Sequence, residues 1–296
     1  MPCILPGTLF NSPLTNPFMT ENLKSYAQKN DRTAHPGAQK PLIFFSDVHL
    51  GAPLLKDDLK REQKLIRFLE STLQEDSAVF IVGDLFEFWF EYREVVPRKH
   101  FRLLSALHRF ALDGREIHYL IGNHDLWADS FFNDEIGISV HKKPLEIAAH
   151  GFNIFLSHGD GLAKSDKKYR FLKGVLQNKV NIKLYRWVHP DIGIPFAKRR
   201  SQESRHKGAK PDILSQEYRE VAEGKFNEGF NVFIMGHTHK AIHEINAGNH
   251  YINLGDWINH FSFCRIENGE IGLYQWPSNR IYVRPQGVAA NEKVTE

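Results

Sequence analysis

Five short apolar runs in this chain are each followed at once by residues that can hold a metal ion. After residues 42–45 comes Ser46-Asp47-Val48-His49, and after 79–82 comes Gly83-Asp84. Residues 117–121 lead into Gly122-Asn123-His124-Asp125, 154–156 into Ser157-His158-Gly159-Asp160, and 232–235 into Gly236-His237-Thr238-His239. The candidate ligands are Asp47, His49, Asp84, Asn123, His158, His237 and His239. Carboxylates, imidazoles and one amide, without thiolates, suit Mn²⁺, Zn²⁺, Fe²⁺ or Mg²⁺. So many donors exceed the needs of one tetrahedral ion. They suit two ions about 3.5–4 Å apart sharing a bridging carboxylate. Two aspartates against two dications leave a charge of about +2, matched to a phosphate or pyrophosphate, and water at such a site is acidified into a nucleophile. An Asp-x-His or Gly-Asp alone is commonly a turn or a helix cap; five in succession, each after an apolar run, carry the reading.

The elements behind these residues follow from the pattern. Each run is short, β-branched or aromatic, and bounded by Gly, Ser or Asn, as buried strands are, and 251–254 reads as a sixth. Between the early strands Leu65, Ile66, Leu69 and Leu73 recur at helical spacing. Phe101, Leu104, Leu107, His108 and Ala111 do so too, opened by Pro97 and closed by Gly114. Strand and helix alternate, so the fold class is α/β. In such sheets ligands gather at the carboxyl ends of strands, which brings the seven donors together. The glycines before Asp84, Asn123 and His237 let the backbone turn tightly there. Residues 162–226 break the alternation with helical, basic sequence and read as a cap inserted between two core strands. Residues 261–283 alternate like hairpin strands, with Asn268-Gly269 as a turn. The domain is therefore expected over 41–285. Residues 1–40 read as a disordered tail without a secretory signal, with Met19 as a second candidate start, and 286–296 as a short C-terminal tail.

Composition narrows the class. Of 296 residues, 42% are hydrophobic and 25% charged, which excludes wholesale disorder. No apolar run approaches the ~18–20 residues of a membrane span. Two cysteines, Cys3 and Cys264, cannot build a disulfide framework and point to a reducing compartment. The net charge of +3 conceals an asymmetry: residues 164–210 hold fourteen Lys/Arg against three acids, a net of +11, leaving −8 on the rest. Tyr169, Phe171, Tyr185, Trp187 and Phe196 interleave with these charges. Such a segment fits an amphiphilic anionic partner, and Leu172, Val175, Leu176 and Val180 could line an acyl groove or dock the cap on the core.

The motif set Asp47-x-His49, Gly83-Asp84, Gly122-Asn123-His124-Asp125, His158 and Gly236-His237-x-His239 resembles that of the calcineurin-like metallophosphoesterase superfamily, over about residues 42–256. The resemblance implies an α/β/β/α sandwich. It implies one ion on Asp47, His49, Asp84 and His239, and a second on Asp84, Asn123, His158 and His237, Asp84 bridging. His124 would then face the substrate as a catalytic group, with Asp125 orienting it. Two divalent ions are expected, Mn²⁺ first, then Zn²⁺, Fe²⁺ or Mg²⁺.

The stretch Gly83-Asp84-Leu85-Phe86-Glu87-Phe88-Trp89 is similar to that of the UDP-2,3-diacylglucosamine pyrophosphatases of lipid A biosynthesis, as is His158-Gly159-Asp160-Gly161-Leu162 with Asp166, Tyr169 and Phe171. By this likeness Asn123, His124, Asp166, Ser201, Arg205 and Lys207 would contact substrate. The chain departs from the best-known branch in carrying His124 where that branch has Arg. The expected reaction is hydrolysis of the UDP-2,3-diacylglucosamine pyrophosphate to UMP and the lipid 1-phosphate. The partners would be a lipid-linked nucleotide and, peripherally, the anionic cytoplasmic face of the inner membrane. A nucleotide or nucleic-acid phosphodiesterase is the alternative, though nucleic acid is not the expected partner. A metal-free binding scaffold fits poorly, since every ligand position is filled.

Overall fold

The computed structural model describes residues 40–53, 55, 57–205 and 211–283, with the side chains of 202–205 and 211–213 outside that description. The expected tails at 1–40 and 286–296 therefore lie outside it, apart from Lys40.

Among the described residues two sheets form. The first runs β12(Arg280–Val283), β11(Glu270–Gln275), β10(Ser262–Glu267), β1(Leu42–Phe45), β2(Ala78–Val82), β3(Ile117–Leu120), β4(Ser139–His141). Strands β1 to β4 are parallel, and β10 to β12 extend the sheet as antiparallel hairpins. The second runs β5(Leu145–Ala149), β6(Phe152–Leu156), β7(Val232–Met235), β9(Asn249–Leu254), β8(Ala241–Asn246), parallel at its centre and antiparallel at both edges.

The central runs are apolar at every position because both faces are covered. In β1, Phe44 joins Phe80, Leu120, Ile154, Ile234 and Ile252 between the sheets. Ile43 and Phe45 point the other way, to Leu65 and Leu69 of α1(Asp58–Gln74) and Leu103 and Leu107 of α2(Phe101–Leu112). On the far face of the second sheet, Tyr218 and Ala222 of α6(Pro211–Asn227) pack on Phe155, Phe233 and Met235. The layers are thus α/β/β/α.

Strands β6 and β7 are parallel neighbours, so the segment that joins them, in which the expected cap lies, is one crossover connection. Only its earlier helices, α3(Lys167–Leu176), α4(Lys179–Tyr185) and α5(Pro190–Arg205), have the surface character expected of a cap. Helix α6, which the sequence grouped with them, is a core layer. Its Tyr218 and Ala222 lie four apart on one face and are fully buried, a stripe masked in the sequence by surrounding Glu and Lys. Three strands escaped the sequence pattern: β4, β5 and β8 sit at or near edges, where half-buried polar residues interrupt the apolar run.

Candidate metal centre

The loops after β1, β2, β3, β6 and β7 converge, and all seven expected ligands stand in them. Five of these ligands, Asp47, His49, Asp84, His237 and His239, have φ between 49° and 69°. Left-handed backbone at non-glycine residues is strained and clusters at functional sites. The ligand side chains also crowd the neighbouring backbone. A Cβ on Gly83 would come within 2.3 Å of His158 Nδ1, and one on Gly122 within 2.2 Å of Asp84 Oδ1. Glycine there is required by the side chains it admits.

The donors form two groups joined by one carboxylate. In the first, His49 Nε2 and His239 Nε2 are 3.1 Å apart, with Asp47 Oδ1 at 3.6 and 3.4 Å from them. In the second, His158 Nε2 lies 3.2 Å from Asn123 Oδ1, and His237 completes a cluster with His158 and Asp84. Asp84 Oδ2 stands between the groups, 3.7 Å from His49 Nε2 and 3.3 Å from His158 Nε2.

Three observations fit metal ions here. Asp47 Oδ1 is buried and without a hydrogen-bond partner, which is costly unless a cation satisfies it. Three imidazoles have Nδ1 anchored: His49 by the Glu87 carboxylate at 3.2 Å, His158 by the Val82 carbonyl at 2.8 Å and His239 by Asp256 at 3.5 Å. Each therefore turns Nε2 toward the shared space, as metal-ligating histidines do. Donor atoms 3.1–3.7 Å apart match nitrogens and oxygens each ~2.0–2.2 Å from one ion.

The electrostatics agree. Burial alone would raise the Asp84 carboxyl, but His158, His124 and His49 hold it well below the ordinary range; Asp47 is likewise held low by His239, His49 and His158 against its burial. Both are ionised. Asp125 is pushed up to about 7 by burial and by repulsion from Asp84.

His124 lies at the edge of the same space. Its Nδ1–H donates to the Glu87 carbonyl at 2.8 Å, and its Nε2 is 3.9 Å from Asp84 Oδ2. Its own backbone N–H donates to Asp84 Oδ1 at 2.9 Å. Asp125, expected to orient this ring, does not touch it. The carboxylate accepts instead from the Tyr119 hydroxyl and the Gly122 and Leu85 backbone N–H groups, pinning the β2 and β3 loops to each other.

Of the expected substrate contacts, Ser201 is drawn in from α5: its Oγ is 3.0 Å from His124 Nδ1 and donates to Glu87 Oε1 at 3.2 Å. Asp166 accepts from Gly161 N at 3.2 Å and lies within electrostatic reach of His237. The Arg205 side chain and Lys207 are outside the described residues.

Sequence reasoning missed Glu87, Asp256 and Asp160. Glu87 is fully buried and braces His49. Asp256 braces His239 while accepting three backbone N–H groups, from Ile258, Asn259 and His260. It follows β9 as Gly255-Asp256, the same strand-Gly-Asp order as Gly83-Asp84, so its signal was present. Asp160 accepts from Tyr169 OH at 2.6 Å and Lys173 Nζ at 2.7 Å, tying α3 to the loop of His158. The cap is further docked by Trp127 Nε1 to the Leu176 carbonyl, Arg186 Nε to the Glu91 carbonyl, and Tyr185 against Phe90. Facing outward from it, Phe171, Val180, Leu184, Trp187, Ile192 and Phe196 are exposed, Trp187 by 89%.

Comparison with known proteins gives the same neighbourhood. The family described as Calcineurin-like phosphoesterase matches residues 40–241. A UDP-2,3-diacylglucosamine hydrolase of Porphyromonas gingivalis is 32% identical over 243 residues, covering 75% of this chain and 92% of that one. Proteins of the same name from Shewanella piezotolerans and Aeromonas salmonicida are 27% and 28% identical, each over 79% of this chain and over 98% and 92% of their own lengths.

Proposed function

The chain belongs to the calcineurin-like phosphoesterase family, and we propose that it hydrolyses the pyrophosphate of UDP-2,3-diacylglucosamine to UMP and 2,3-diacylglucosamine 1-phosphate. As a member it is a metal-dependent hydrolase. The observation that carries the reading is Asp84 Oδ2 between two imidazole groups, at 3.7 and 3.3 Å. The substrate is supported by the relatives bearing that activity in their name, and by a basic cap whose apolar side chains are exposed.

Asp47, His49, Asp84 and His239 would hold one divalent ion, and Asp84, Asn123, His158 and His237 a second, Mn²⁺ being the expected metal. Bound there, the ions would supply Lewis acidity toward the phosphoryl oxygens and activate water as the nucleophile. The protein's own groups do the rest. The anchored imidazoles and ionised carboxylates hold their geometry without reorganisation during reaction. His124, with its Nδ1 proton committed to the Glu87 carbonyl, presents Nε2 to the phosphate. Protonated, Nε2 donates to the developing charge or to the leaving oxygen; where Arg offers a fixed charge, His can also deliver the proton. Asp166 and Ser201, with Arg205 and Lys207 from the cap, would contact substrate. Residues 41–285 form the catalytic domain in this reading.

The exposed apolar and cationic cap residues suit an acylated substrate presented at an anionic membrane surface, here the cytoplasmic face of the inner membrane. No helix of the described residues is long and apolar enough to cross a membrane. The test is turnover by purified protein with Mn²⁺. UDP-2,3-diacylglucosamine should release UMP and lipid 1-phosphate in equal amounts, faster than a plain phosphomonoester or a cyclic nucleotide is cleaved. Faster cleavage of either of those would assign a different substrate.

A further inference from the structure

The loop from Asp47 to Gly51 carries two of the candidate ligands, Asp47 and His49, both in left-handed backbone conformation. Such a conformation persists only when its surroundings over-determine it, so the partners of its backbone groups identify what holds His49. The neighbouring loop takes most of them. The N–H groups of Asp47, Val48, His49 and Leu50 donate to the carbonyls of Gly83, Asp84 and Leu85, and Glu87 N donates to the Leu50 carbonyl. Trp257 N donates to the Asp47 carbonyl.

Ala52 N donates to the His49 carbonyl at 3.3 Å, and side chains meet that carbonyl too and the remaining groups. Arg61 on α1 donates from Nη1 to the Val48 carbonyl at 2.6 Å and from Nη2 to the His49 carbonyl at 3.4 Å. The same Nη2 donates to Asp58 Oδ1 at 2.6 Å, and both Asp58 oxygens accept from Gly51 N at 3.0 Å. Lys198 of α5 donates to the Gly51 carbonyl at 2.9 Å. Arg61 is only 7% exposed, a depth at which a guanidinium is retained for the bonds it makes.

We propose that Arg61, steadied by Asp58, is a positioning residue for the ion held by His49. The inference rests on the two-ion reading above and goes beyond it, since neither residue touches an ion. The two carbonyls it grips belong to the peptide units on either side of the His49 Cα. The N–H groups of the same two units are held by the Asp84 and Leu85 carbonyls; with Arg61 on their carbonyls, φ and ψ of His49 are set from both sides, and so is the direction in which its imidazole leaves the backbone. Glu87, at Nδ1, fixes only the ring's rotation. The planar fork of arginine reaches two carbonyls and a carboxylate at once, which a lysine ammonium does not.

Titration of metal-stripped protein with Mn²⁺, followed by calorimetry, tests this. The wild type should bind two ions. In Arg61→Lys one binding event should weaken about 10- to 100-fold, the usual cost of losing support behind a metal ligand. It should be the event that His239→Asn abolishes, while the event lost in His237→Asn stays within about twofold. Asp58→Asn, at a partly exposed position, should weaken the same event and serves if Arg61→Lys does not fold. A purely structural role would lower the melting temperature with both affinities unchanged, and that result in a folded variant overturns the proposal. Fewer than two binding events in the wild type would instead overturn the two-ion reading beneath it.

Discussion

Ser201 Oγ lies 3.0 Å from Nδ1 of His124, joining cap helix α5 to the loop after β3 across 77 positions of sequence. The same hydroxyl donates to Glu87, the carboxylate that braces His49. One cap residue thus touches both His124, the group proposed to face the phosphate, and the support of a candidate ligand. Ser201→Ala should lower kcat about 2- to 10-fold, the worth of one hydrogen bond of ordinary strength, with metal content unchanged. Steady-state kinetics beside metal analysis checks this; loss of bound metal would move the role of Ser201 to the ion site.

His124 acts on substrate in this account. His124→Ala should keep its metal yet lose about 10²-fold or more in kcat, the range for a positioned acid or electrostatic donor. Restoration of activity by excess Mn²⁺ would make it a ligand instead.

Asp125 should behave differently, because it bonds Tyr119, Gly122 and Leu85 and not His124. Asp125→Asn should lower the melting temperature and disturb both ions together, through the β2 and β3 loops. A kcat loss with stability and metal affinity intact would return Asp125 to the orienting role.

The cap's exposed apolar residues should select the acyl chains. Replacing Leu172 and Leu184, half or more exposed, with Ser should raise KM for the diacylated substrate with little change in kcat, the signature of lost uniform binding. A small activated phosphodiester should be cleaved at the wild-type rate. Equal loss on both substrates in a folded variant would make these residues structural.

Acid should destabilise the fold through histidines outside the candidate ligand set. His243 is pushed down to about 4 by burial and by His250, and His141 to about 4 by burial and by His118. Both are neutral in the folded state and ordinary, near 6.5, when unfolded. Their stabilisation is complete above about pH 6.5 and is lost as pH falls toward 4. Melting temperatures should drop across this window, less steeply in a His141→Gln, His243→Gln variant; parallel curves for the two proteins would contradict the assignment.

Much of this site was legible because metal binding needs particular atoms at strand ends, and the parallel core strands are short, apolar and sharply bounded. That Asp47, Asp84, Asn123 and the histidines converge could be read from order alone. What supports them could not. Arg61 and Asp58 sit on a helix whose charged residues look solvated in sequence, and Glu87 is one acid in an aromatic run. That the Asp125 carboxylate bonds Tyr119, Gly122 and Leu85 could not be read from its adjacency to His124.

On the reading proposed above, Asp84 joins two ions in one hydrolytic site. Metal content and turnover of Asp84→Ala, measured on the same folded sample by elemental analysis and by UMP release, test it most directly. Two ions per chain in the wild type, fewer in the variant and no measurable turnover are expected. Full activity in Asp84→Ala, or two ions retained at wild-type affinity, would contradict the account.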